Sequence, residues 1–264
     1  MAHWTLRIVA ALVLLGVSGW CVAPGARAEP LVTDRPDFTE SAETVAPGRF
    51  QFEGGYTFTQ TDEDTEHSVP ELLVRLGLLE QVELRLALNY LAVDVVEADA
   101  QGLEDLSLGT KIKLVEGSPD FDLIRPHIAL IVQTTLPTGT AGLGEDEMQP
   151  EVKLALAWDF SERVSLGSNL NYGYLSEDGA RFHQFSGSLA LGYQLTEKWG
   201  TYIEYFGFVP ARQDGPNESF FDGGFTYLVN DDLQLDARAG IGAFNGRSPD
   251  YFLGVGVSWR FRAW

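Results

Sequence analysis

Charges and large apolar residues keep to opposite alternation parities along this chain. In the run from Val82 to Tyr90, Val82, Leu84, Leu86, Leu88 and Tyr90 share one parity, and Glu83, Arg85 and Asn89 share the other. Successive strand side chains point to opposite faces, so such a run makes a sheet with one apolar and one polar side. A soluble sandwich shows the same local pattern. Here it recurs from Phe50 to Phe261 in segments of about ten residues, the signature of a transmembrane β-barrel.

The expected fold is therefore all-β, an antiparallel up-and-down barrel of about twelve strands. They are placed near 49–60, 69–79, 82–93, 104–115, 123–135, 150–160, 164–175, 184–195, 199–209, 219–229, 233–244 and 251–262. Tight polar turns at Glu80-Gln81, Ser161-Glu162-Arg163, Thr196-Glu197-Lys198 and Asn230-Asp231-Asp232 alternate with longer loops at 61–68, 94–103, 136–149, 176–183, 210–218 and 245–250. Short periplasmic turns and longer outer loops are usual for barrels, which predicts periplasmic termini.

Parity also sorts the environments. Phe52, Tyr56, Leu108, Val132, Leu170, Val255 and Trp259 are among the residues expected to face lipid. The expected lumen lining is Glu53, Glu71, Arg75, Glu83, Arg85, Asp105, Lys111, Lys113, Arg125, His127, Glu151, Lys153, Asn169, Asn171, Glu204, Asp222, Asp236, Arg238 and Arg260. An Arg or Lys at the lipid midplane costs about 2–4 kcal/mol, so this strict separation is what a membrane wall demands. Oppositely charged neighbours on the inward face, Glu71 with Arg75, Glu83 with Arg85 and Glu151 with Lys153, can brace the wall and set a field across a pore. Gly77, Gly109, Gly167, Gly254 and Gly256 also fall inward. They provide curvature and room for long side chains, or clearance for a solute or an inserted segment.

Three regions follow. Residues 1–28 read as a secretory signal, with Arg7, an apolar run from Ile8 to Val17 and a small-x-small site at Ala26-Arg27-Ala28. Cys21 would suit a lipoprotein, but Trp20 before it is too large for that processing. Residues 49–264 are the barrel. Residues 29–48 are a periplasmic N-terminal segment and a candidate plug. Thr33 to Ser41 is polar, lacks alternation and contains Pro36, so it is no wall strand. Asp34, Arg35, Asp37, Phe38 and Glu40 are its candidate contact residues. Arg35 is expected on Glu53, Glu83 or Glu204, and Phe38 against Tyr202. A mobile tail is the alternative.

The formal charge is −20, and becomes −22 without the signal's Arg7 and Arg27. That argues against nucleic acid, which needs a basic patch. Cys21 is the only cysteine, which excludes disulfide and thiolate chemistry from the mature chain. The histidines, His3, His67, His127 and His183, form no metal-ligand spacing. An outer-membrane hydrolase would need a nucleophile bonded to an oriented base, and no residue pattern nominates one. No cofactor is expected.

The run Thr33-Asp34-Arg35-Pro36-Asp37-Phe38-Thr39-Glu40-Ser41, followed by Pro47-Gly48-Arg49-Phe50-Gln51-Phe52-Glu53-Gly54-Gly55, resembles the opening of an outer-membrane transporter family associated with the meta-cleavage pathway of phenol degradation. Leu136-Pro137-Thr138-Gly139, Trp199 to Tyr205, Asp222 to Tyr227 and the closing Gly254 to Phe261 are similar in style. The resemblance implies an outer-membrane barrel passing small organic compounds, with aromatic ones as candidates. It assigns no catalytic or binding residue. The expected function is passive passage of such solutes. A non-conducting structural or surface-interaction barrel is the alternative, and an outer-membrane hydrolase a third. Expected partners are outer-membrane lipids and lipopolysaccharide, the barrel-assembly machinery and small solutes.

Overall fold

The structure, a computed structural model, describes residues 30–62, 64–94, 100–118, 125–177, 179–211, 217–243 and 249–263. The expected signal segment and Trp264 lie outside these. Among the described residues thirteen strands follow one another: β1 (Arg49–Thr61), β2 (Asp64–Leu79), β3 (Val82–Asp94), β4 (Ala100–Leu103), β5 (Leu106–Val115), β6 (His127–Leu136), β7 (Gln149–Asp159), β8 (Val164–Glu177), β9 (Ala180–Gln194), β10 (Trp199–Ala211), β11 (Glu218–Asn230), β12 (Leu233–Gly242) and β13 (Tyr251–Arg262). All pairings between them are antiparallel, and β1 bonds both β2 and β13, so the sheet closes. β4 pairs with Tyr90–Val93 and β5 with Val82–Ala87 of the same β3. These two pieces are halves of one stave, and the barrel has twelve.

The break in that stave has a local cause. The Asp105 carboxylate accepts N–H bonds from Thr138 (2.9 Å), Gly139 (2.7 Å) and Glu145 (2.8 Å). Asp105 thus binds the 137–148 loop instead of continuing the strand. Two expected loops close up. β2 starts at Asp64, β8 runs to Glu177 and β9 starts at Ala180, so 61–68 and 176–183 are mostly strand. β2 absorbs its extra length in a bulge, where the register shifts between Val69 and Leu72. Arg125 is exposed and precedes β6, since Pro126 after it cannot donate to a ladder.

The burial pattern is inverted relative to a protein bathed in water. Leu170, Ile203 and Val255 are 57%, 66% and 57% exposed on the outer wall, while Arg75, Lys111, Glu53 and Glu83 inside are fully buried. Only a lipid surround makes such a surface stable, and a closed barrel leaves it no open backbone edge. No helix among the described residues is long and apolar enough to cross a membrane; the strands do so.

Leu86→Arg places a charge on the outer wall and should cost about 2–4 kcal/mol. Ala87→Arg points into the lumen and should cost much less. Equilibrium folding into bilayers measures both, and equal penalties would contradict the parity.

Candidate functional site in the barrel lumen

The chain from Leu31 to Gly48 runs inside the barrel. Leu31 N–H donates to Asp231 C=O in the β11–β12 turn (3.0 Å), and Gly48 N–H donates to Gly77 C=O near the β2–β3 turn (3.0 Å). Both ends of the segment therefore lie at the same end of the barrel, the end of the tight turns. Between them the chain climbs and returns without joining the sheet. Backbone buried in this way must bond something. Wall side chains supply the acceptors: Glu53 for Asp34 N–H (2.8 Å), Glu204 for Phe38 and Thr39 (2.7 and 2.8 Å), Asn169 for Glu40 (2.6 Å) and Glu83 for Val45 (2.8 Å). Inward glycines leave the room. A Cβ at Gly77 would strike the carbonyls of Val45 and Ala46, and one at Gly256 would strike the Arg35 guanidinium.

One side of the lumen is a dry charge network. Arg75 pairs with Glu53 (3.0 Å) and holds Glu83 through two bonds of 2.9 and 3.0 Å. Arg85 also reaches Glu83 (3.0 Å). The wall here carries three cations, Arg75, Arg85 and Lys111, against two carboxylates. Asp34 of the segment supplies the third, 2.6 Å from Arg85 and 2.9 Å from Lys111 Nζ. Burial alone would raise the Asp34 carboxyl. Arg75, Lys111 and Arg85 outweigh it and hold it well below the usual carboxylate range. Glu40 bridges Arg85 and Lys153 (2.7 Å to the latter), and against its own burial these cations bring it down to about 2.

The opposite side is acidic. Glu204 and Asp222 face each other across β10 and β11, with the Tyr202 hydroxyl 3.1 Å from Asp222. Arg35 of the segment bonds Glu71 (2.8 Å) and Asp236 (3.4 Å). Arg238 of the wall donates to Pro36 C=O (2.9 Å). Asp37 projects into this acidic side. Burial and then the Glu204 carboxylate push it well above its usual range.

The expected pairings are partly rearranged. Arg35 meets Glu71 and Asp236, not Glu53, Glu83 or Glu204, and Asp34 takes the central place instead. Glu71 turns from Arg75 to Arg35. Phe38 stacks on Phe206 (ring centroids 4.7 Å apart, 10° between planes), with Phe208 edge-on, rather than on Tyr202. Phe206, Phe208, Phe220 and Phe252 are inward aromatics that parity reading passed over. Glu83–Arg85 and Glu151–Lys153 pair as expected, at 3.0 and 3.5 Å. Asn171 bonds Ser186 (3.1 Å), and Arg260 holds Asp232 at the turn end (2.8 Å). His127 lies 3.0 Å from Glu43 and 3.6 Å from Asp159. Glu43, Glu116 and His127 are close enough to share a metal ion, but the Lys113 ammonium already sits 2.7 and 3.0 Å from the two glutamates. His67 and His183 lie in strands, not loops, and each bonds a tyrosine hydroxyl on the outer wall, Tyr56 at 2.8 Å and Tyr172 at 2.7 Å.

Three cavities border the segment, two of them large. The larger, about 810 Å³, opens toward the 137–148 loop and is lined by Glu71, Glu104, Asp105, Glu145 and Lys153 among others. The smaller, about 440 Å³, opens at the turn end beside Glu162, Arg163 and Gln194. Asp37 lines both.

The family described as "Putative MetA-pathway of phenol degradation" matches residues 33–261, which includes most of the luminal segment. The chain belongs to this family. Its fold is similar to that of an outer-membrane channel from Pseudomonas putida F1 (TM-score 0.67, 15% identity, 83% of this chain and 98% of that one). It is also similar to the NanC porin (TM-score 0.56, 11% identity, 80% and 98%) and to the translocator domain of the autotransporter NalP from Neisseria meningitidis (TM-score 0.50, 12% identity, 82% and 90%). At these identities the likeness shows the outer-membrane barrel fold. No curated protein matches the chain by sequence.

For this family member, pH should act on the segment in two directions. Asp34 and Glu40 have lowered values, so the stability they lend to docking is present above the usual carboxylate range and is lost as pH falls through the lowered values. Asp37 has a raised value, so its contribution is present at acidic pH and is lost as pH rises through that value. Hydrogen exchange of residues 33–45, corrected for intrinsic rates, should show wild-type protection weakening as pH rises above the usual carboxylate range. Asp37→Asn should abolish that weakening. Asp34→Asn should lose protection at every pH above the lowered Asp34 value, because breaking a buried pair costs about 3–5 kcal/mol. An Asp37→Asn profile identical to wild type would refute the assignment.

Proposed function

We propose that the protein is a passive outer-membrane channel for small organic molecules, and that residues 30–48 are its plug. The observation that carries this reading is the pair of cavities, one at each end of the lumen, that share Asp37 of the segment. A wall built only for mechanical support has no need of two solvent-sized vestibules separated by a few residues. The segment is tied to the wall by side-chain bonds alone between Leu31 and Gly48, so it can leave without unzipping the sheet. Family membership and the barrel fold support the same reading. The outward His67 and His183 bond tyrosines and not serines, which supports a non-enzymatic role. The outer wall would be covered by membrane lipid and lipopolysaccharide, and the closed barrel would be inserted by the assembly machinery.

Deletion of residues 30–44 behind an intact signal should raise single-channel conductance severalfold while the barrel still folds. Unchanged conductance from a folded deletion variant would reduce the segment to a structural brace.

The turn end, with both termini, is proposed to face the periplasm, as barrel turns usually do. A cysteine at Glu145 should then react with an impermeant reagent on whole cells, and one at Glu197 should not. The reverse pattern would invert the topology.

A further inference from the structure

Four phenylalanines occupy inward positions in a lumen lined mainly by polar and charged side chains. Phe206 and Phe220 stack with centroids 4.7 Å apart and 11° between planes. Phe208 stands perpendicular to both, at 89° and 85°. Phe252 adds an edge contact to Phe220. These rings come from β10, β11 and β13, so their order is set by the wall and does not need the segment. Phe38 is the outermost ring of the stack. It lies flat on Phe206, takes the edge of Phe208 at 5.3 Å, and borders the larger cavity.

The polar surroundings of Phe38 are equally specific. Glu204 sits one inward step from Phe206 on β10, about 6–7 Å along the strand. Its carboxylate accepts the Phe38 N–H, the Thr39 N–H and the Thr39 hydroxyl. When the segment withdraws, it exposes an aromatic stacking face and, beside it, a carboxylate that has lost three donors. An unsatisfied buried carboxylate is costly, and a ligand that brings a donor offsets that cost. The neighbouring Asp222 and Asp236 disfavour anions.

We propose that Phe206, Phe208 and Glu204 form a binding site for a neutral, hydroxylated single-ring aromatic compound, and that Phe38 occupies this site as an internal stand-in. The ring of such a solute takes the place of the Phe38 ring, and its hydroxyl donates to Glu204 where the Phe38 backbone did. Binding and withdrawal of the segment are therefore competitive. This deepens the channel reading and rests on it for its physiological meaning, but the site itself is a separate claim.

The test is equilibrium binding of phenol to the purified full-length protein in lipid nanodiscs, read by ligand-observed NMR, with benzoate and cyclohexanol as comparison ligands. Phe38→Ala removes the stand-in and should tighten phenol binding about tenfold. Phe206→Leu keeps the apolar fill but removes the stacking face, and should weaken binding about tenfold in the Phe38→Ala background, near the upper end of what one aromatic pair contributes. Glu204→Gln should reduce the preference for phenol over cyclohexanol less than Phe206→Leu does, while relieving the rejection of benzoate. Phenol binding that is non-saturable, or that is insensitive to both phenylalanine substitutions, overturns the site. Conductance of the same variants reads the channel separately. Saturable phenol binding in a barrel that never conducts would sink the channel reading and leave the site standing. Conductance without phenol binding would do the reverse.

Discussion

Arg75 is fully buried, and every interaction around it follows from the need to match charge where bulk water does not reach. Its guanidinium holds Glu83 through two bonds and Glu53 through one, and its remaining donors reach the backbone of the segment at Val32 and Glu43. Around it the wall is one carboxylate short. On the β10–β12 side the imbalance is reversed, with Glu204, Asp222 and Asp236 facing, among the described residues, the wall cation Arg238. Adjacent residues of the segment correct both: Asp34 turns to the basic side and Arg35 to the acidic side. Two neighbouring residues in an irregular chain can point in opposite directions, and in a lumen this narrow that is enough to bridge it.

A network of this kind would be a poor gate if it had to break dry. Separating a buried ion pair costs about 3–5 kcal/mol, and several would have to part together. The cavities on either side change the comparison. Water can follow the segment as it withdraws, and an ion pair exposed to water contributes only about 0–1 kcal/mol. The free energy of opening is then set by how easily the lumen hydrates, and not by the sum of the dry contacts. Asp37, which lines both cavities and is crowded by the Glu204 and Asp222 carboxylates, is where hydration relieves burial and like-charge repulsion together.

The strands were legible because lipid enforces parity more strictly than a soluble core does. Eight of the twelve staves lie where alternation places them, to within about three residues at both ends. β2 and β9 run further than expected because Thr65–His67 and Arg181–His183 are polar or aromatic enough to resemble loops, while lying beyond the most apolar part of the wall. The break between β4 and β5 was hidden, since Glu104 and Asp105 fit an alternating strand and the donors that capture Asp105 lie over thirty residues away. The segment was recognisable as something other than wall from Pro36 and its lost alternation. Its partners were not, because which inward residue meets which across the lumen depends on strand tilt and stagger, which parity does not encode. The inward phenylalanines were missed for a simpler reason. Phe206 and Phe208 share the parity of Glu204, and that was the available signal, but an apolar residue at a polar position reads as noise until several meet.

Those rings also locate the weakest hold on the segment. Asp34, Arg35 and Glu40 are each secured by charged partners that a neutral molecule cannot replace. Phe38 is secured by stacking, which contributes about 0.5–1.5 kcal/mol beyond burial and is available to any planar ring of similar size. The hydrogen bonds at this point run from backbone N–H groups to a carboxylate, and a hydroxyl can substitute for one of them. A solute in the larger cavity meets Asp34, Asp37, Phe38 and Glu40 of the segment, and of these Phe38 is the one with which its own chemistry can compete. Withdrawal that begins at Phe38 exposes Asp37 beside it, and a hydrated Asp37 favours further withdrawal. The aromatic stack and the mismatched acid are adjacent in sequence, so one contact can start what water then completes.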